Sequence, residues 1–294
     1  MNAQSPSGIR DVSDTALWVA HYRAVETERP DAIIRDPLAK LLVGDRGAAI
    51  AGNFARTGKY TAWTVIARTV IIDEYIQDAL KQGVDAIVNL GAGLDTRPYR
   101  MELPAALQWV EADFPHMVHY KSEKLRDHVP RCQLQRVGVD LSDDAARRQF
   151  LASVAPDARR ILVLTEGVVP YLTEQQVSQL AKDLLARPQV AMWVVEYFSE
   201  LAYRYLKQIA QSPQMANSPF RFFPANWMQF FSERGWEKQD FHYFGEIGRR
   251  FHRVPPMPLM ARLVMRFMSR ERIAKMQQLS GYLLLARRAD AAPQ

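Results

Sequence analysis

The spacing of apolar positions divides the chain into a helical start and a long alternating stretch. Helical periodicity begins near Asp14 or Thr15, either of which can cap the run ALWVAHYRAVE. Residues 1–14, rich in Ser, Pro, Gly and Asn, read as a loose arm. A second helix is predicted over 62–81, with Val65, Ile72, Tyr75, Ile76 and Ala79 along one apolar stripe. The run AIVNL at 86–90 is short, apolar and followed by Gly-Ala-Gly, which predicts a buried strand. Further strands are predicted at 107–112, 133–139, 160–165 and 190–197, with helical patterns between them, notably at 116–127 and 173–186. Strands alternating with helices imply a parallel sheet covered on both faces. Beyond 200, a helix at 199–210 leads into the aromatic stretch PFRFFPANW, then a helix ending near Gly235 and last strands at 236–244 and 281–286.

The junction after the first strand carries the most chemistry. Gly91-Ala92-Gly93 lets the backbone turn sharply and a ligand approach closely. A dinucleotide site would need a third glycine where Thr96 stands. That disfavours pyrophosphate, and with it a nicotinamide-dependent oxidoreductase, and suits a ligand such as S-adenosylmethionine. Acids close the strands that follow. Glu111 and Asp113 end the second; Glu111, 20 residues after Gly91, is the first choice to accept from ribose hydroxyls. Asp140 closes the third strand, where an adenine amino group can be accepted, with the Leu141 backbone for the ring nitrogen. Glu166 closes the fourth. Arg68 falls inside the apolar stripe of the second helix and, aimed inward, needs an anionic partner: a ligand carboxylate or an internal salt bridge.

Composition narrows the partners. The chain has 294 residues, 48% hydrophobic and 24% charged, which excludes a wholly disordered chain. No apolar run reaches membrane-spanning length, the N-terminus shows no signal core, and a lone Cys132 fits a reducing compartment, so a cytoplasmic location is expected. The net charge of +6 is unevenly placed: residues 245–288 hold ten Lys+Arg against Glu246 and Glu271. No nucleic-acid module accompanies that segment, so no nucleic-acid partner is expected. Within it, 258–270 predicts a basic amphipathic helix. It reads first as packed on the core, second as a Met-lined lid, third as a weak contact with an anionic membrane surface.

An ordered set of pieces resembles the leucine carboxyl methyltransferase family, in its bacterial branch of O-methyltransferases that includes polyketide carboxyl methyltransferases of secondary metabolism. The pieces are DTALWVAHYRAVETERPDAIIRDPLA at 14–39, ARTVIID at 67–73, NLGAGLDTRPYR at 89–100, VEADFP at 110–115, GVDL at 138–141 and LTEGVVPYLT at 164–173. The resemblance runs from about 14 to 200. It implies an α/β fold, the Rossmann-like class I methyltransferase sheet of seven strands with the last antiparallel. Helices cover both faces, with an N-terminal helical lid and a C-terminal helical insertion. One domain is expected, with a helical part at 15–81, a cofactor core at 82–200 and substrate-side helices with the last two strands at 201–294. The resemblance implies S-adenosylmethionine as cofactor, held by Arg68 at its carboxylate, Gly91 with Gly93 in the loop, and Asp113 at the ribose in place of Glu111. It further implies Asp140 with Leu141 at the adenine, and Glu166 near the methionine part. It places Tyr171 on the substrate-facing loop.

Methyl transfer to a carboxylate needs no base near pH 7, whereas a phenol or alcohol must lose a proton. None of the six histidines stands at a strand's carboxyl end, which favours a carboxylate acceptor on a small molecule. His116 and His119 have the spacing of a metal pair but no third ligand, so no metal is expected. Tyr197 at the end of the fifth strand is expected to point into the crevice, and Arg221 in PFRFFPANW can fork an acceptor carboxylate or lie on the surface. Trp18 and Tyr22 read as core packing ahead of a lid role. The rival activities are methylation of a protein C-terminal carboxylate, nicotinamide-dependent oxidoreduction and non-catalytic binding.

Overall fold

The computed structural model describes residues 12–53, 58–203, 219–253 and 267–288. Three helices precede the sheet: α1 (Val12–Thr27), α2 (Ala39–Asn53) and α3 (Gly58–Lys81). The strands are β1 (Ala86–Leu90), β2 (Gln108–Asp113), β3 (Gln133–Gly138), β4 (Ile161–Leu164), β5 (Val190–Phe198), β6 (Trp236–Tyr243) and β7 (Ser280–Arg287). Between them lie α4 (Arg97–Arg100), α5 (Pro115–Lys124), α6 (Asp144–Ser153), a 3-10 turn (Val169–Tyr171), α7 (Glu174–Leu185), α8 (Trp227–Ser232), α9 (Phe244–Arg250) and α10 (Arg270–Gln277).

The seven strands form one sheet in the order β3-β2-β1-β4-β5-β7-β6. Strands β1 to β5 pair in parallel, and β7 runs antiparallel to both β5 and β6. This is the class I methyltransferase sheet that the resemblance implies. Strand order reverses between β1 and β4, so the crevice for a ligand opens at their carboxyl ends.

Alternation along the strands builds the core. Val88, Val110, Val163 and Val195 pack on one face with Val177, Leu180 and Leu184 of α7. Ile87, Trp109, Leu162 and Val194 pack on the other with Ile72, Tyr75, Ile76 and Ala79 of α3. Each such fully buried side chain contributes about 1.5–3 kcal/mol. A capping box sets the start of α7: Thr173 Oγ1 accepts from the Gln176 N–H and Gln176 Oε1 from the Thr173 N–H. Trp18 and Tyr22 join the α3-side core, linked by a 2.7 Å bond from the indole N–H to the phenol oxygen.

Two features depart from the sequence reading. Helix α2 was not predicted; its run AKLLVGDRGAAIAGN is glycine-rich, and Gly44 breaks it at φ 56°. The third strand ends at Gly138, so Asp140 sits in the turn beyond it rather than closing it. Short helices α9 and α10 lie between β6 and β7, where the resemblance implies a helical insertion. Of the helix predicted at 199–210, residues 204–210 lie outside the described residues. Residues 258–266 of the basic amphipathic helix do so too.

Candidate active site

The turn after β1 is shaped by two glycines. Gly91 has φ +67°, and a Cβ there would lie 2.4 Å from Val168 Cγ2. Gly93 has φ +46° and faces Ala16 of α1. Helix α1 lies over this loop because the buried Arg23 donates to the Leu94 carbonyl (2.6 Å) and to Asp36 Oδ2 (2.8 Å). The loop amides are already engaged. Gly91 and Ala92 N–H bond the Ala112 carbonyl, Asp95 N–H bonds the Ala92 carbonyl, and Arg97 N–H bonds Asp95 Oδ1. The short α4 follows. That leaves little of the amide nest a pyrophosphate requires.

Asp113 closes β2 against the loop. Its Oδ2 accepts from the Gly93 N–H at 2.6 Å and its Oδ1 from the Phe114 N–H at 2.7 Å. Burial pushes its carboxyl up, opposed by those two amides. Each oxygen keeps a second lone pair for a diol. Glu111, the first choice for that role, is excluded by its surroundings. It is 1% exposed inside β2 and held between Lys121 Nζ and Arg136 Nε, each at 2.9 Å. Beyond β3, Asp140 is exposed and its Oδ1 accepts from both the N–H and the hydroxyl of Ser142. The Leu141 carbonyl accepts from the buried Arg147 (2.9 Å), which pairs with Asp183 of α7 and so anchors this turn.

Arg68 and Glu166 meet. Arg68 Nε lies 2.8 Å from Glu166 Oε1 without hydrogen-bond geometry. Glu166 Oε2 accepts from Arg97 at 2.7 Å, and Arg97 also donates to Asp73 Oδ1 (2.7 Å) and Asp95 Oδ2 (2.9 Å). Arg100 holds both oxygens of Asp73, and Asn89 donates to Asp95. Burial opposes ionisation of Asp95 and Glu166. The guanidinium of Arg97, with Lys121 for Asp95 and Arg68 for Glu166, nonetheless holds both below the usual carboxylate range. Arg68, Gly91, Gly93, Asp113 and Glu166 therefore share one sheet edge, with Asp140 and Leu141 beyond β3.

In the 3-10 turn after Glu166, Tyr171 bonds Thr15 of α1, and its ring lies 5.2 Å from that of Phe220. Burial pushes its phenol up, and Arg68 opposes the shift. Arg221 is exposed; its backbone N–H bonds the Pro170 carbonyl at 2.7 Å, so its strip runs beside the Tyr171 turn with the residue on the surface. Tyr197 does not point toward Arg68. Its ring packs against Phe241, Tyr243 and Trp227 on the α7 face. Strand alternation puts its neighbour Glu196 on the α3 side instead.

Glu196 escaped the sequence reading, although a carboxylate inside VAMWVVEYF was a visible signal. It is 4% exposed, and Oε1 accepts from the Gly167 N–H and, at 3.4 Å, from the Tyr282 hydroxyl. Burial pushes it up to about 7, with Glu166 adding to the shift and the amides and Arg68 opposing it. Between about pH 4.5 and 7 the folded state holds a proton that the unfolded state has released, so stability falls as pH rises through that window. Urea titrations should therefore show Glu196→Gln gaining on the wild type from pH 4.5 to 7, by up to ~3 kcal/mol.

Arg97, Asp73 and Asp95 also went unpredicted; their signal is charge in otherwise apolar surroundings. Among the described residues no three His, Cys, Asp or Glu side chains gather as a metal site. His116 stacks on Phe114, and the exposed His119 lies 3.7 Å from Glu123. A shallow depression lined by Gln77, Leu103, Pro104 and Arg131 sits at the amino ends of the strands, away from these groups.

Among known proteins, an inferred S-adenosyl-L-methionine-dependent methyltransferase of Mycobacteroides abscessus is 36% identical over 193 residues, 59% of this chain and 61% of its own length. One from Mycobacterium avium is 36% identical over 190 residues, 60% of each. The chain thus spans less than two thirds of these relatives. A crystal structure of a DUF574 family protein from Streptomyces avermitilis has a TM-score of 0.59 at 16% identity, covering 93% of this chain and 97% of that one, a likeness of fold. The family model for leucine carboxyl methyltransferase matches residues 16–185, more than half of the chain. The chain belongs to the leucine carboxyl methyltransferase family.

Proposed function

We propose that this chain is an S-adenosylmethionine-dependent O-methyltransferase whose acceptor is the carboxylate of a small molecule. The observation that carries the reading is the matched set of charges along the crevice. The guanidinium of Arg68, whose Nε lies 2.8 Å from Glu166 and has no hydrogen bond among the described residues, would hold the cofactor carboxylate. Glu166 would take the ammonium and Asp113 the ribose diol. Asp140 and the Leu141 N–H would take the adenine. Gly91 and Gly93 keep the loop clear of side chains. The relatives' names and the engaged loop amides favour this cofactor over a nicotinamide dinucleotide.

The bound cofactor supplies a sulfonium methyl group, open to in-line displacement by an oxygen. The protein's part is placement and exclusion of water. Helix α1, tied down by Arg23, covers the loop. Tyr171, bonded to that helix, would be the acceptor-side residue; Arg221 is exposed and the Tyr197 ring packs on the α7 face. A carboxylate acceptor is ionised already, which removes the need for a base. The family's own name, a carboxyl methyltransferase, supports the same choice.

The acceptor class is tested by incubating the protein with methyl-labelled S-adenosylmethionine and a metabolite extract, followed by mild alkali. Methyl esters release labelled methanol, whereas methyl ethers do not. The expected result is alkali-released methanol from the small-molecule fraction. Label in alkali-stable products would contradict the carboxylate, and label confined to protein would favour a C-terminal carboxylate.

A further inference from the structure

We propose that Glu196 is the acceptor-binding group on the strand side of the crevice: as a neutral carboxylic acid, it donates from Oε2 to one oxygen of the acceptor carboxylate. This rests on the O-methyltransferase reading and goes beyond it by naming what selects an anionic acceptor.

The geometry carries the argument. Glu196 stands near the carboxyl end of β5, next to the turn that bears Glu166. Its Oε1 is used by the Gly167 N–H and the Tyr282 hydroxyl. Its Oε2 is buried and, among the described residues, has no hydrogen-bond partner. The charged and titratable groups facing it are Arg68 from α3, Glu166 from the β4 turn and Tyr282 from β7, with Tyr171 of the 3-10 turn also within its field. The one cation of that set, Arg68, already pairs with Glu166. An ionised Glu196 would leave an anionic oxygen buried and unmet, which is costly. The neutral acid instead has a donor to spend.

A ligand carboxylate fits that donor. Two adjacent carboxyl groups cannot both ionise, so an arriving anion pushes Glu196 further toward its neutral form. One acceptor oxygen takes the hydrogen bond and the other attacks with its lone pair. The methyl carbon's bond to sulfur breaks as its bond to oxygen forms. The sulfonium becomes a neutral thioether, the carboxylate becomes a neutral ester, and the proton stays on Glu196. An alcohol would meet a donor where it needs a base.

The alkali-released methanol assay, run from pH 6 to 8.5 on wild type, Glu196→Gln and Glu196→Ala, tests this. Wild-type ester formation should fall by about tenfold per pH unit above the pKa of Glu196. Gln donates an N–H at every pH, so Glu196→Gln should retain the activity at pH 6 within a few-fold and lose the alkaline fall. Glu196→Ala should lose at least tenfold at pH 6 and show no alkaline fall of its own. Activity that rises with pH and vanishes in Glu196→Gln would make Glu196 a base and overturn the inference. An unchanged pH profile in Glu196→Gln would also overturn it. No methanol from any form, wild type included, would instead refute the carboxylate reading beneath it. Melting curves of both variants confirm that folded protein is compared.

Discussion

Replacing Arg97 by methionine should cost about 3–5 kcal/mol of stability, the usual consequence of removing one partner from a buried ionic cluster. The Arg97 side chain is 3% exposed and touches Asp73, Asp95 and Glu166, which come from α3, the glycine loop and the β4 turn. Without it those carboxylates face one another with Arg68 and Arg100 at the flanks. The loss should show in urea titration as a lowered midpoint with an unchanged slope. It should also depend on pH. Asp95 and Glu166 are held below their unfolded values, so the stability they contribute is present at neutral pH. It disappears as pH falls through their folded values. The deficit of Arg97→Met should therefore shrink in acid. Adding Asp95→Asn to Arg97→Met removes one stranded charge and should recover part of the loss. Additive losses in the double variant would show that the two residues do not interact.

The same cluster explains what was legible in the sequence. Strands β1, β4 and β5 are short apolar runs bounded by polar turns, a local property. The glycine loop was legible because two glycines must stand where φ is positive and α1 lies close. The roles of the acids were not local. Spacing alone selects Glu111, and what excludes it is Lys121 and Arg136, brought beside it by folding. Asp113, the choice that the resemblance implies, is set apart by its bonds to the loop amides rather than by its spacing. Arg97 pairs with residues 24 and 69 positions away, a distance over which no periodicity speaks. Tyr197 and Glu196 differ by a single step in a strand, and a single step changes the face. Helix α2 was hidden by its glycines, which lower helix propensity; one of them, Gly47, lies against Leu17 of α1.

The crevice between β1 and β4 is where S-adenosylmethionine would sit, and Asp113 is the residue on which that placement turns. A ribose diol offers two O–H donors, and a carboxylate accepts both as charge-assisted bonds worth about 1.5–3 kcal/mol each. Asp113 also fixes Gly93 through its N–H, so Asp113→Ala loosens the loop as well as removing the acceptor. Calorimetric titration of the folded wild type and of Asp113→Ala with S-adenosylmethionine, its demethylated product and a nicotinamide dinucleotide makes the comparison. The wild type should bind the first two and not the dinucleotide, and Asp113→Ala should weaken binding by about 100-fold or more. Binding of the dinucleotide in preference to S-adenosylmethionine, or equal affinity in Asp113→Ala, would contradict that placement.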